Sequence, residues 1–218
     1  MDKELLVSGL ERIGIPFDDG VLGDIDTFVS EIMLFNPVYK LVGDKDPDEI
    51  LIRHVLDSAS AYPAFMRYTK PGDTIADLGS GAGFPGIVLS IILPDRSFVL
   101  IERMRRRVGF LEGVIARTGL GNATVFDKDI KEVKRKFSTV TARAFHPLYD
   151  VAESVLSLLQ PDGVGIFYKG QRANAASELE VLRGEGYGFE ATIEDIRVPY
   201  LDERRTICVL ENWKRNEG

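Results

Sequence analysis

The sequence predicts an α/β fold: a mostly parallel, doubly wound sheet with a terminal antiparallel hairpin and an N-terminal helical extension. Three observations predict it. From residue 71 onward, short apolar runs of strand length alternate with helical stretches, the pattern of βα units with helices on both sheet faces. The first run, Asp73 to Leu78, enters a glycine-rich turn and then an apolar helix, the opening unit of a nucleotide-binding sheet. The last two runs follow one another with no helix between them, as a hairpin requires.

Residues 2 to 62 read as helical. Leu5, Leu6, Leu10 and Ile13 fall on one face, and Gly14-Ile15-Pro16 ends that helix. Asp18 or Asp19 can cap a second helix, whose apolar positions from Val21 to Phe35 run to Asn36-Pro37. Asp46-Pro47-Asp48-Glu49 starts a third, with Asp46 as cap, Pro47 at the first position and acids in the first turn; it is expected to end near Tyr62-Pro63. Strands are expected at 73–78, 97–101, 123–126, 138–142, 163–168, 188–198 and 205–211. Helices are expected at 85–93, 104–117, 147–159 and 173–183. The expected organisation is a helical extension over 1–70 packed on a larger domain over 71–218. No internal repeat, low-complexity segment or disordered linker stands out beyond a few C-terminal residues.

Composition narrows the class. The chain is 44% apolar and 28% charged, as a globular protein with a large core would be. Its longest apolar stretch, Ile87 to Leu93, is far too short to span a bilayer. The opening Met1-Asp2-Lys3-Glu4 lacks a signal-peptide pattern. One cysteine, Cys208 in an apolar run, excludes a disulfide framework or a multi-cysteine zinc site. A cytoplasmic protein without membrane attachment is expected. The net charge of −7 argues against a non-specific nucleic-acid coat. It is uneven: residues 1–70 hold 13 acids and 7 bases, and the remainder 21 acids and 20 bases. Basic clusters can therefore form on the second part.

Gly81-Ala82-Gly83-Phe84-Pro85-Gly86 matches the dinucleotide pattern G-x-G-x-x-G, a weak signal alone. Overlapping it is Asp77-x-Gly79-x-Gly81-x-Gly83, which is more specific. An acid two residues before the first glycine repels a pyrophosphate, whereas it can hold the α-ammonium of S-adenosyl-L-methionine. Glu102 follows the second strand, where an acid accepts from ribose hydroxyls of either ligand; Asp77 is the discriminator. A structural turn and an NAD(P) site are the competing readings. After the third strand, Asp129 and Ile130 can meet an adenine amine and ring, with Asp127 a rival and a plain surface turn the alternative.

Asp77 to Gly86 resembles the cofactor motif of the bacterial 16S ribosomal RNA guanine-N7 methyltransferases, the glucose-inhibited division protein B family. Ile52-Arg53-His54-Val55-Leu56-Asp57-Ser58 is similar to that family's Arg-His-x-x-Asp-Ser segment. Ala142-Arg143-Ala144-Phe145 is similar to its Ser-Arg-Ala-Phe, and Tyr168-Lys169-Gly170 to its Leu-Lys-Gly. The resemblance spans roughly residues 36 to 210. It implies a Rossmann-like core dependent on S-adenosyl-L-methionine and methylation of one guanine in small-subunit ribosomal RNA. It carries cofactor positions onto Gly79, Phe84, Ile130, Lys131 and Arg143, beside Asp77, Gly81, Gly83, Glu102 and Asp129 from the turn and strand ends. Two stretches depart: Lys40-Leu41-Val42 stands where the family often has Asn-Leu-Thr, and Glu203-Arg204-Arg205 where Gly-Glu-Arg is common, leaving Arg205 matched.

Guanine N7 carries a lone pair and no proton, so methyl transfer to it needs no general base. Alignment and exclusion of water suffice, an effect worth up to ~7–11 kcal/mol. No catalytic acid or base and no metal is therefore expected; Arg143, Lys169 and Arg205 are candidates for positioning substrate. Arg143 can instead meet the methionine carboxylate or a structural acid, and Lys169 an RNA phosphate, guanine O6 or solvent. His54 is expected to pair with Asp57 on one helix face, with contact to cofactor or RNA the alternative. Arg103, Arg105, Arg106 and Arg107, the 128–136 bases, Arg172 and Arg204 can form an RNA-binding rim or a solvated face. The expected partner is 16S ribosomal RNA or the small ribosomal subunit, and the default state is a monomer. A non-catalytic cofactor-binding assembly factor, or a methyltransferase for another RNA, a protein or a small molecule, is the alternative function.

Overall fold

The computed structural model describes residues 1–216. Helix α1 (Lys3–Ile13) begins at Asp2, whose carboxylate accepts from the Glu4 and Leu5 amides, and ends at Gly14 in the left-handed region. Helix α2 (Asp19–Tyr39) is capped by Asp18. It runs past the expected stop at Asn36-Pro37. The Asn36 side chain donates to the Asp44 carbonyl at 2.9 Å and accepts from the Val42 amide at 3.0 Å. Those two bonds pin the last turn, although Pro37 supplies no donor to it.

Asp46 caps α3 (Pro47–Ile50) with Pro47 at its start, as the sequence predicts. The expected unbroken third helix is corrected beyond that point. The chain widens into a π-helical segment, Leu51–Leu56, then forms α4 (Asp57–Ala59) and a separate α5 (Tyr62–Tyr68). Such wide turns re-aim side chains, often at functional sites. Here the result is that His54 and Asp57 both reach one arginine, Arg143.

Strands β1 (Thr74–Leu78), β2 (Ser97–Glu102), β3 (Ala123–Asp127), β4 (Phe137–Arg143), β5 (Leu159–Lys169), β6 (Tyr187–Ile196) and β7 (Arg205–Arg215) form one sheet in the order β3-β2-β1-β4-β5-β7-β6. The first five are mutually parallel. Strand β7 runs antiparallel to both β5 and β6, which is the expected terminal hairpin. Helices α6 (Gly86–Ile92), α7 (Arg105–Thr118), α8 (Leu148–Leu158) and α9 (Arg172–Gly184) lie where the alternation predicts. Pro85 is the residue before α6 rather than its first residue, and its peptide bond with Phe84 is cis. No helix among the described residues is long and apolar enough to cross a membrane.

Two apolar layers cover the sheet. One gathers the N-terminal helices, α6 and α7 around Phe28, Phe65, Ile75 and Ile166. The other gathers α8 and α9 around Leu78, Val140, Phe167 and Trp213. Alternation along each strand sorts the polar ends in the same way. Asp77, two residues after Ile75, faces the N-terminal helices. Lys169, two after Phe167, faces α9. Strand order reverses between β1 and β4, and at such a switch point open sheets leave a crevice at the carboxyl ends.

Candidate active site

The turn after β1 is built by backbone bonds that need small residues. The amides of Gly79 and Ser80 both donate to the Ile101 carbonyl, at 2.9 and 3.2 Å. Gly79, Gly81 and Gly83 all have positive φ, at 65°, 60° and 95°, where side chains are strained. Gly86 is needed for a different reason. A Cβ there would lie 2.3 Å from Leu100 and 2.6 Å from Asp77 Oδ2. Without one, the Gly86 amide donates to Asp77 Oδ2 at 3.1 Å.

Asp77 is 1% exposed. Its second oxygen, Oδ1, is buried and has no hydrogen-bond partner. A bare carboxylate oxygen in low dielectric is costly, so the neutral form is favoured. Burial pushes the Asp77 carboxyl up to about 7. A cation arriving at Oδ1 would remove that penalty.

Glu102, 4% exposed, ties the turn to the next loop. It accepts from Gly81 N at 3.0 Å, Arg103 N at 2.9 Å and Met104 N at 2.8 Å. A carboxylate offers about four acceptor positions, so one remains for an incoming hydroxyl. Arg107 Nη1 lies 3.8 Å from Glu102 Oε2, beyond hydrogen-bond distance. Asp129 accepts from Lys131 N and from Arg103 Nη1, both at 3.1 Å, opening a 3-10 turn (Ile130–Glu132). Ile130 is buried, and Lys131 and Asp127 are exposed.

On the side of the N-terminal helices, Phe84 is enclosed by three groups. Its ring lies 5.1 Å from those of Phe28 and His54, and the Arg143 guanidinium sits 5.1 Å above it. Arg143 Nη1 donates to Asp57 Oδ2 at 2.6 Å, and Nη2 to His54 Nδ1 at 3.0 Å. Arginine has only donors, so Nδ1 accepts and Nε2–H donates to Asp44 at 2.8 Å. Burial, and then the Arg143 charge, hold the His54 pKa below its ordinary value. The expected His54–Asp57 pair is therefore corrected: His54 bridges Asp44 and Arg143. Asp57, 5% exposed, instead joins Arg143 to Arg205, whose Nε lies 3.1 Å from Oδ1. Arg205 also meets Glu203, at 2.9 Å. Of the three candidates for positioning substrate, Arg143 and Arg205 turn to the side of the N-terminal helices and Lys169 to that of α9, a split at one edge, since all three line one cavity. Lys169 pairs with Glu178 of α9 at 2.6 Å.

Two cavities follow from that split. One, of about 450 Å³, is lined by Asp44, Arg53, His54, Asp57, Arg143, Lys169 and Arg205 among others. The other, of about 300 Å³, lies between β4, β5, α8 and α9. Sequence reasoning assigned no role to Phe145, which dominates the second. Its ring lies 2.4 Å from where a Gly79 Cβ would be, so it walls the cradle at the carboxyl edge. Met104, two residues after Glu102, is 51% exposed and gives Glu102 its backbone amide. The basic residues 103, 105, 106, 128, 131, 134, 135 and 136 are exposed.

A glycine cradle at the switch point, with a buried acid before it and a second acid after β2, defines a Rossmann-like methyltransferase. Solved structures of that fold are similar throughout the core. A ribosomal protein L11 methylase from Lactobacillus delbrueckii subsp. bulgaricus matches with a TM-score of 0.55 and 17% identity, over 74% of this chain and 79% of its own. The tRNA (m1A58) methyltransferase TrmI from Aquifex aeolicus matches with a TM-score of 0.53 and 13% identity, over 71% and 68%. The family model of GidB, rRNA small subunit methyltransferase G, matches residues 22–194. The chain belongs to this family. Among its relatives, a ribosomal RNA small subunit methyltransferase G from Treponema denticola is 30% identical over 97% of this chain and 95% of its own. Another from Halorhodospira halophila is 36% identical over 79% and 80%.

Asp57 is a buried carboxylate between the guanidinia of Arg143 and Arg205, and removing one partner of such an arrangement leaves uncompensated charge. Asp57→Asn is expected to destabilise the protein by ~3–5 kcal/mol, read as a lower urea midpoint. An unchanged midpoint would contradict the arrangement.

Proposed function

We propose that the chain transfers a methyl group from S-adenosyl-L-methionine to N7 of one guanine in 16S ribosomal RNA. The observation that carries the cofactor half is the unpartnered, buried Oδ1 of Asp77, which suits the α-ammonium of an amino acid. The substrate half rests on family membership, because the turn alone is shared by methyltransferases of many substrates. When bound, the cofactor supplies a methyl group on a positively charged sulfur, activated for displacement.

The chain's own residues have binding and alignment work to do. Asp77 would receive the ammonium, and the remaining acceptor position of Glu102 a ribose hydroxyl. Gly79, Gly81 and Gly83 let the ligand approach the backbone. Ile130 offers apolar surface to the adenine, with Asp129 and Lys131 beside it. Phe84 and Arg143 support the turn from behind: Arg143 is held by Asp57 and His54, so we assign it to shaping the site. Arg205 and Arg53 border the larger cavity and suit RNA phosphates; Lys169 lies at the edge of both cavities. With the cofactor bound, the N7 lone pair would take the methyl carbon and the carbon–sulfur electron pair would leave with sulfur, so this chain's residues have only to align N7 with that carbon. No proton is moved, so no general base is required. The helices of residues 1–70 hold the cradle and the arginine network in register. All assigned residues come from one chain, so a monomer suffices.

The test is transfer of a labelled methyl group to small ribosomal subunits and to naked 16S RNA, with mapping of the modified base. N7-methylguanine at one position is expected, and its absence from both substrates would overturn the reading. The exposed basic residues around the cradle predict a further property. Raising salt from about 50 to about 300 mM should weaken RNA binding by about 10- to 100-fold, the range for two to three neutralised phosphates. Salt-independent affinity in a filter or fluorescence assay would remove the basic rim from the account.

A further inference from the structure

The 300 Å³ cavity between β4, β5, α8 and α9 is outside the phosphate-oriented arginine network, and the mechanism above uses only its rim. It opens at the carboxyl edge of the sheet, next to the Gly79 turn that Phe145 touches. Its walls are mostly apolar, with Phe145, Leu148 and Val151 among them. Besides His146, two charged side chains line it: Lys169 and Glu178, with side chains 12% and 17% exposed.

The two charges are not used up by each other. Glu178 Oε2 accepts from Lys169 Nζ at 2.6 Å and from the Leu148 amide at 2.7 Å. Oε1 of Glu178 accepts no hydrogen bond from any described residue, and an ammonium has three donors, of which Lys169 spends one here. The cavity thus presents a donor next to a free acceptor, in an apolar pocket with an aromatic wall. Enzymes that modify a base read it in such a pocket by stacking and by hydrogen bonds to its pairing edge.

We propose that Glu178 is the specificity-determining residue that selects guanine, with Lys169 as its partner; this deepens the reading of guanine as the substrate and rests on it. Guanine's pairing edge carries an acceptor, O6, followed by the donors N1–H and N2–H₂. Lys169 donates to O6, and Glu178 Oε1 accepts from N1–H and N2–H₂. Adenine presents the reverse order, a donor at N6 and an acceptor at N1, so it would set like against like at both contacts. Buried polar groups left unpaired by the wrong substrate give strong discrimination. With the pairing edge held in the cavity, N7 on the other flank of O6 stays uncovered. Phe145 supplies the stacking face.

Inosine separates this role from a structural one, because it keeps O6, N1–H and N7 and lacks only the N2 amine. Methyl transfer is measured on small-subunit RNA carrying guanosine or inosine at the mapped position. The wild-type enzyme should prefer guanosine by about 10- to 100-fold, the effect of a hydrogen bond to a charged acceptor. In Glu178→Gln the amide oxygen can keep the Leu148 and Lys169 bonds, which turns an NH₂ group toward the base. The guanosine-to-inosine ratio should then collapse towards one, and likewise in Glu178→Ala. Because each ratio is taken within one variant, loss of folded protein cancels. A wild-type ratio near one, or a variant that keeps the full preference, overturns the proposal. Absence of N7 methylation on the guanosine RNA by wild-type enzyme would instead overturn the underlying reaction, before any variant is compared.

Discussion

Asp77 stands next to last in β1 with one oxygen satisfied and the other bare, in the interior of the protein. Much of the surrounding structure is arranged so that this can happen. Gly86 has no side chain because Asp77 and Leu100 occupy the space. The glycines at 79, 81 and 83 carry the chain around the turn that follows Asp77, through conformations that a side chain would strain. Glu102 fixes the far side of the turn by accepting from three amides. A protein that keeps an unpaired acceptor at its core gives up stability locally, and that sacrifice is usual where a ligand is to supply the missing partner.

The second constraint is the arginine network that joins the N-terminal helices to the sheet. Arg143 extends from β4 into the helical layer, where Asp57 and His54 take its donors and Phe84 takes its face. Tyr168 adds a bond from its hydroxyl to the Ser58 carbonyl at 2.6 Å. The helical extension is thus fastened to the ends of β4, β5 and β7 on one face. The opposite face, with Lys169 and Glu178, is left free of that network and keeps its own cavity. Period-two alternation along β4 and β5 divides the two halves of the site, one lined by arginines and their carboxylates, the other mostly apolar with the Lys169–Glu178 pair and His146.

Most of the fold was legible because its signals are local. The βα alternation, the caps at Asp18 (read as Asp18 or Asp19) and Asp46 and the glycine turn are properties of neighbouring residues, and each reappears in the structure. The π-helical segment was not legible, since apolar spacing over Leu51–Leu56 reads equally well as α-helix. Nor was the continuation of α2 through Pro37, which depends on Asn36 meeting the separate 42–44 loop. The site divides in the same way. Asp77, Glu102 and the glycines follow from a strand-end motif. The Asp57–Arg205 bond joins residues 148 apart in sequence, and the Lys169–Glu178 pair requires knowing which face of α9 meets β5. Lys169 and Arg143 look equivalent as strand-end bases, yet the pleat sends them to opposite faces.

The central claim is that Asp77 is a buried acid awaiting a cation, and its own titration tests this most directly. Carbon-13 NMR of the labelled aspartate carboxyls, with Asp77→Asn to assign the signal, follows that group with and without S-adenosylhomocysteine. The pKa of the free protein is raised above the unfolded value of 3.8 to about 7, so Asp77 is largely neutral below that pH and ionises above it. Binding of the α-ammonium favours the ionised form, which must release a proton and lower that pKa. Ligand affinity accordingly rises with pH up to about 7 and then levels. An ordinary carboxylate titration near pH ~4 in the free protein, unmoved by the ligand, would contradict the claim.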